Sequence, residues 1–215
     1  MASRAELKEQ KKKTSNALIK AAIEICEEEG YASLSIRSVA RKTGIAPTSF
    51  YRHFRDIDEL GVAIVDKANR VLTHCFQQIR KKMPEHCVNN PDSSEQKFQS
   101  IENLVRLFVE TFIECIKQNS QLLSLFFQER TGHSEQMRKA ISEGIDNLII
   151  ILSQDLKCIA LDFSQEISDI SFIAESMIAL ASYDSVAMIL DQKVEDSQIE
   201  VLIKKLNMLL LGALK

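Results

Sequence analysis

"GIAPTSFYRHFRD", residues 44–56, places a proline three steps after a glycine and then arranges Thr48, Ser49, Tyr51, Arg52 and His53 around two phenylalanines. Proline suits the first helical position, where its missing N–H would have been unpaired anyway, so Pro47 marks a helix start. At about 100° per residue, Phe50 and Phe54 share one stripe, and Arg52 falls nearly opposite it with Thr48 and Ser49 on either side. Tyr51, His53 and Arg55 flank the buried edge. A helix of about two turns does not stand alone in water, so its rings must anchor on neighbouring elements. Its polar face is then presented outward on a rigid support.

The preceding stretch "SLSIRSVARKTG", residues 33–44, supplies that support. Ser35 is an N-cap candidate, and Ile36, Val39, Ala40 and Thr43 give one apolar face of a short helix. Gly44 ends it, because glycine takes the left-handed conformation at a helix C′ position without a Cβ penalty. Helix, tight glycine turn and helix form a helix-turn-helix, whose second helix enters the major groove of DNA.

Charge favours that reading over mere packing. Residues 1–55 hold 11 Lys/Arg against 6 Asp/Glu, and residues 56–215 hold 16 against 24, so the net charge of −3 conceals two opposite halves. A basic lobe around an exposed Arg, Tyr and His is the electrostatic footprint of phosphate binding.

From Thr14 to Asp66 the chain resembles the DNA-binding domain of the TetR family of bacterial one-component regulators. The likeness rests on an amphipathic first helix with "KAA", a Gly-Tyr turn, the helix pair, and "FYRHFRDIDEL" leading into a long connecting helix. "ASLSIRSVARKTGIAPTSFYRHFRDIDELG" is especially similar to the regulators of unsaturated fatty acid synthesis, the FabR/DesT type, and "FFQERTGHS", residues 126–134, resembles an effector-domain segment of that subgroup. The resemblance implies a dimeric repressor of fatty acid synthesis or desaturation genes. Its effector would be a long-chain acyl-CoA or acyl carrier protein thioester, and its target a palindromic operator. The alternative is a regulator of an efflux or other operon that answers a different hydrophobic ligand.

Length and composition agree with an all-α fold. The 215 residues are 45% hydrophobic, enough for a substantial core, and six Gly with three Pro leave little material for β-turns. The expected domains are 1–55 for DNA binding and 56–215 for effector binding and dimerisation. Helices are expected over about 14–29, 56–83, 95–117, 120–130, 134–157, 166–191 and 196–214, with Asp56 and Glu59 as a capping box for the second of these. "PEHCVNNPDSSEQ", residues 84–96, reads as the main loop. No secretion signal and no uninterrupted apolar run of spanning length is evident, which points to a cytoplasmic protein.

Catalytic motifs do not emerge. Neither GxGxxG, GxxxxGK[ST] nor GxSxG occurs. His133 and Ser134 with Glu129 and Glu135 lack an evident oxyanion hole. The five cysteines, Cys26, Cys75, Cys87, Cys115 and Cys158, are scattered and suit reduced thiols, and the pairs His74-Cys75 and His86-Cys87 lack the close spacing of zinc ligands. No metal or cofactor is expected.

Candidate DNA contacts follow from chemistry. Thr48, Ser49 and Arg52 face outward toward bases with Arg37 nearby, and Arg52 carries the fork that matches guanine O6 and N7. Tyr51, His53 and Arg55, with Lys13 and Thr14 from the first turn of the first helix, are phosphate candidates. For an acyl chain, Phe108, Phe112, Phe126, Phe127, Phe172 and Met177 are tunnel candidates. Arg106, Arg130 and Arg138 are the basic groups available for a phosphate-bearing carrier. Wide apolar arcs in "MIALASYDSVAMIL" and "VLIKKLNMLLLGAL" point to homodimerisation through the last two helices.

Overall fold

The computed structural model describes residues 3–83, 94–163, 165–190 and 195–214. Its helices are α1 (Arg4–Glu29), α2 (Ile36–Thr43), α3 (Pro47–Phe50), α4 (Ile57–Lys82), α5 (Ser94–Gln118), α6 (Ser120–Gln128), α7 (Glu135–Asp162), α8 (Ile170–Leu190) and α9 (Asp196–Ala213). Single 3-10 turns cover Tyr31–Ser33 and Glu129–Thr131. Among the described residues there is no β-strand beyond one isolated bridge between Ile167 and Leu214, so the all-α class holds.

The first helix begins ten residues earlier than its apolar periodicity predicts. Ser3 caps it: Ser3 Oγ accepts the Glu6 N–H, and the Glu6 carboxylate accepts the Ser3 N–H. Residues 4–13 are all exposed and hold one large apolar side chain, Leu7, so capping and intrinsic propensity form this segment without packing. Lys13 and Thr14 therefore lie in mid-helix, not in a first turn.

The described residues divide into two compact units, one from Met1–Asn69 with Gln121–Ser142, the other from Arg70–Ser120 with Glu143–Lys215. This division differs from a boundary at 55/56, because the first half of α4 belongs to unit one and the second half to unit two.

In unit one, α1 packs on α2, and α2 on α3. Leu18, Ala22, Val39, Ala40, Phe50, Leu60 and Ile64 are wholly buried. Gln121 donates a hydrogen bond to Glu27, tying α6 to α1. Gly61 on α4 permits a close approach: a Cβ there would stand 2.6 Å from Met137 Sδ and 2.8 Å from the Tyr31 hydroxyl.

In unit two, α5, α8 and α9 pack mutually. Phe76, Phe108 and Phe112 form an aromatic cluster, Phe108 stacked on Phe112 with centroids 5.8 Å apart and Phe76 meeting both edge-on. Such offset and T-shaped pairs add to the burial energy of the rings. Helix α8 starts at Ile170, four residues later than predicted, because Ser168 is held against the end of α9 through two bonds to the Ala213 carbonyl. By length and composition α8 could cross a membrane, but Glu175 and Asp184 interrupt it and half of its apolar stretch is buried.

Candidate nucleic-acid interface

The local signals at residues 35–54 produce the geometry they predict. Ser35 caps α2 by accepting the Ser38 N–H at 3.1 Å, and Ser38 Oγ accepts the Ser35 N–H at 3.0 Å. Gly44 adopts φ 69°, ψ 25°. The Gly44 N–H bonds the Arg41 carbonyl and the Ile45 N–H reaches back to the Ala40 carbonyl. This paired arrangement closes a helix with a left-handed residue and fixes the direction of the exit. Lys42 reaches Glu28 at 2.9 Å and Glu24 at 3.5 Å on α1, which ties the two helices and commits Lys42 to carboxylates.

The recognition helix is shorter than two turns. Helix α3 covers Pro47–Phe50, and the chain continues through bonded turns, with Arg52 N to Ser49 O, His53 N to Phe50 O and Phe54 N to Phe50 O. Phe50 is fully buried and Phe54 nearly so, their centroids 5.8 Å apart, and this apolar anchor holds the outer face. Thr48, Tyr51 and Arg52 are exposed, Ser49 is half-buried, and Arg37 is exposed on α2. The expected division between an inner Phe stripe and an outer hydrogen-bonding face is therefore present.

Other candidate residues are placed differently. His53 is half-buried, with Nδ1 buried and unpartnered among the described groups; burial first, then Lys11 and Arg52, hold its ring below the ordinary histidine range, so it is neutral at pH 7. Arg55 pairs with Glu59 at 3.2 Å. Glu59 also accepts the Arg55 N–H, while Asp56 accepts the Glu59 N–H at 2.8 Å, so the start of α4 is capped from Asp56 but its reciprocal bond falls on Arg55. The Thr14 hydroxyl bonds the Gln10 carbonyl, and Lys13 is exposed. The nearness of Lys11 to His53 is not legible in the local pattern, although Lys8 and Lys11 continue the spacing of the buried stripe of α1.

The effector candidates separate between the units. Phe126 and Phe127 meet edge-on in unit one, Phe126 buried and Phe127 partly so. Phe108, Phe112 and Met177 are buried in unit two, whereas Phe172, in the first turn of α8, is 58% exposed and lines no interior. Arg106 forks onto Glu200 through both guanidinium nitrogens, with Glu102 and Glu110 at 3.6 and 4.0 Å. Three carboxylates thus compete with any phosphate at Arg106. Arg130 is exposed, and Arg138 bonds the carbonyls of Gly132 and His133.

Unit one also contains an open pocket of about 570 Å³ lined by Tyr31, Asp58, Glu129, His133, Ser134 and Glu135. Ser134 donates to Asp58 here, and the Tyr31 hydroxyl is pushed up to about 12 by burial and by the Asp58 carboxylate. Burial raises Glu129. Gly30, Ala32, Leu34 and Ile57 complete the lining, so the wall mixes carboxylates with apolar groups.

Cys26, Cys75, Cys115 and Cys158 are free thiols; Cys87, with His86, lies outside the described residues. His74 lies 3.2 Å from the Gln78 amide nitrogen.

These features define a helix-turn-helix DNA-binding domain joined to a larger helical body. Residues 18–64 match the family model of bacterial regulatory proteins, tetR family. The whole fold is shared with solved structures. Regulatory protein TetR from Rhodobacter sphaeroides is 16% identical with a TM-score of 0.66, covering 89% of this chain and 96% of that one. The fatty acid degradation regulator FadR from Bacillus halodurans is 16% identical with a TM-score of 0.62, covering 92% and 94%. The multidrug binding protein EbrR, complexed with imidazole, is 18% identical with a TM-score of 0.60, covering 92% and 89%. At such identities the likeness establishes the fold. The family match itself covers the helix-turn-helix and its flanks, residues 18–64.

Proposed function

We propose that the protein is a cytoplasmic, dimeric transcriptional repressor that binds palindromic operator DNA and answers long-chain acyl thioesters, controlling genes of fatty acid synthesis or desaturation. The observation that carries the DNA half is the exposed Thr48–Tyr51–Arg52 face set on the buried Phe50–Phe54 pair. Arg52, Thr48 and Ser49 read bases; Tyr51 and neutral His53 donate to phosphates.

Dimerisation through α8 and α9 is supported by exposed Tyr183 (77%), Met208 (69%), Leu190 (56%) and Val201 (52%). A shallow groove of about 290 Å³, lined by Met188 and Val201 with the Asp184–Lys205 ion pair, lies on the same two helices. Apolar groups on this scale suit a second copy of the chain, and two half-sites supply the contacts one short helix cannot.

The acyl reading rests on the residue 126–134 resemblance and on the purely hydrocarbon Phe76–Phe108–Phe112 cluster in a chain without Trp. FadR of Bacillus halodurans, named for fatty acid degradation, shares the fold. EbrR, named for multidrug binding, shares it too, which keeps a different hydrophobic ligand as the second reading. Arg130 and Arg138 are the carrier-binding candidates, with Arg106 secondary because of its carboxylates.

A ligand alters operator affinity only by binding the two conformations unequally. Helix α4 starts just beyond the recognition turn and runs from unit one into unit two, so its tilt is the proposed link. Mass spectrometry of small molecules released from the purified protein tests the effector class. Acyl thioesters or fatty acids support the reading; a non-acyl hydrophobic compound in stoichiometric amount selects the alternative.

A further inference from the structure

We propose that the first three turns of α1 form a second DNA-binding element, a basic arm in which Arg4, Lys8, Lys11 and Lys12 contact phosphates outside the stretch read by the recognition helix. The inference rests on the DNA-binding reading above.

Three observations carry it. First, α1 projects beyond the domain it serves: its buried residues run from Leu18 to Cys26, whereas residues 4–13 are entirely exposed. Second, the projection keeps one face. Taking Arg4 as origin at about 100° per residue, the seven buried residues of α1 fall between about −100° and +100°, with Leu18, Ile19, Ala22 and Cys26 at the centre, between about −40° and +60°. Lys11, Lys8 and Lys12 fall at about −20°, +40° and +80° on the same scale, while Glu6, Glu9 and Lys13 fall between about 140° and 200°. The stripe that packs against α2 thus continues, beyond the edge of the domain, as a row of cations with the acids turned away. Third, Lys11 is near enough to His53, in the recognition segment, to oppose its protonation. At least one cation of the row therefore lies beside the recognition segment.

Leu7, at about −60°, is the one large apolar group beside this row, too little to anchor a protein partner. Regular spacing of single cations along a rigid helix suits a phosphate backbone, where each neutralised phosphate releases condensed counterions. Glu6 is engaged in the Ser3 capping box and Glu9 lies on the far face, so neither neutralises the row.

The test is the salt dependence of binding to a random-sequence duplex of about three helical turns, followed by fluorescence anisotropy for the full chain. The combined variant Lys8→Gln, Lys11→Gln, Lys12→Gln retains helix propensity and touches no buried residue. Its slope of log affinity against log salt should become shallower by about 0.9 for each phosphate left unneutralised, at least two units in all, with affinity at 0.1 M salt reduced at least about tenfold. Lys20→Gln, on the opposite face of the same helix at about 160°, should leave both unchanged. Unaltered slope and affinity in the combined variant, with the unsubstituted protein binding in a salt-dependent way, overturn the arm alone. An equal effect of Lys20→Gln overturns the assignment to one face. If the unsubstituted protein binds phosphatidylserine vesicles but no duplex, the DNA reading falls and the arm with it.

Discussion

Ser134 Oγ donates to Asp58 Oδ1 at 2.7 Å, and the same hydroxyl oxygen accepts the Met137 N–H at 3.3 Å. One side chain therefore caps the first turn of α7 and holds the first turn of α4, two residues after the recognition segment. In Ser134→Ala both bonds are removed, and a cap plus a charge-assisted bond are worth about 1–3 kcal/mol. At about 2–4 °C per kcal/mol for a chain of this size, the melting temperature should fall by several degrees. Calorimetry of the variant checks this, and an unchanged melting temperature contradicts the coupling.

Gly44 is the second structural pivot. At φ 69° a side chain is strained, yet an added Cβ would find no atom within 4 Å. Gly44→Ala should therefore cost only the backbone term, about 1–2 kcal/mol, with no packing penalty. Urea denaturation should show a lowered midpoint with an unchanged m value.

Arg80 and Asp155 supply a pH-dependent test. Arg80 Nε donates to Asp155 Oδ1 at 2.7 Å, and the Asp155 carboxylate is nearly buried, its protonation favoured by burial and opposed by Arg80. An acid whose folded pKa stands above its unfolded value loses stability as pH rises from the unfolded value through the folded one. Arg80→Met removes the opposing charge and raises Asp155 further. The variant should be destabilised by about 1–3 kcal/mol at pH 7, toward the low end because Arg80 is half exposed, and by much less below pH 4. Melting curves at the two pH values measure the difference.

On the DNA side, Arg52→Ala should reduce specific affinity by about 1–3 kcal/mol and relax preference at one position of each half-site. Affinity for random duplex should hardly change. Equal losses on both duplexes would make Arg52 a phosphate contact.

The helix-turn-helix was legible because its determinants are local: Ser35 caps, Gly44 turns and Pro47 starts, each within a few residues of its partner. What escaped depends on other physics. The segment from Arg4 to Lys13 has no apolar period, so only its capping serine and helix-forming composition signal it. Arg106 looks free in sequence, yet its main partner, Glu200, is 94 residues away. Nor does any local pattern reveal that Gln121–Ser142 joins the N-terminal unit. Phe172 and Phe108 carry the same apolar symbol, and only packing separates an exposed helix start from an aromatic core.

The central claim is that acyl thioesters tune operator binding. A duplex selected by the protein from a random-sequence pool, titrated by fluorescence anisotropy at fixed salt, tests it most directly when oleoyl-CoA and palmitoyl-CoA are added in turn. By the resemblance to regulators of unsaturated fatty acid synthesis, the account predicts that oleoyl-CoA strengthens binding and palmitoyl-CoA weakens it. Superimposed curves with and without either thioester, at concentrations shown separately to saturate the protein, would contradict it.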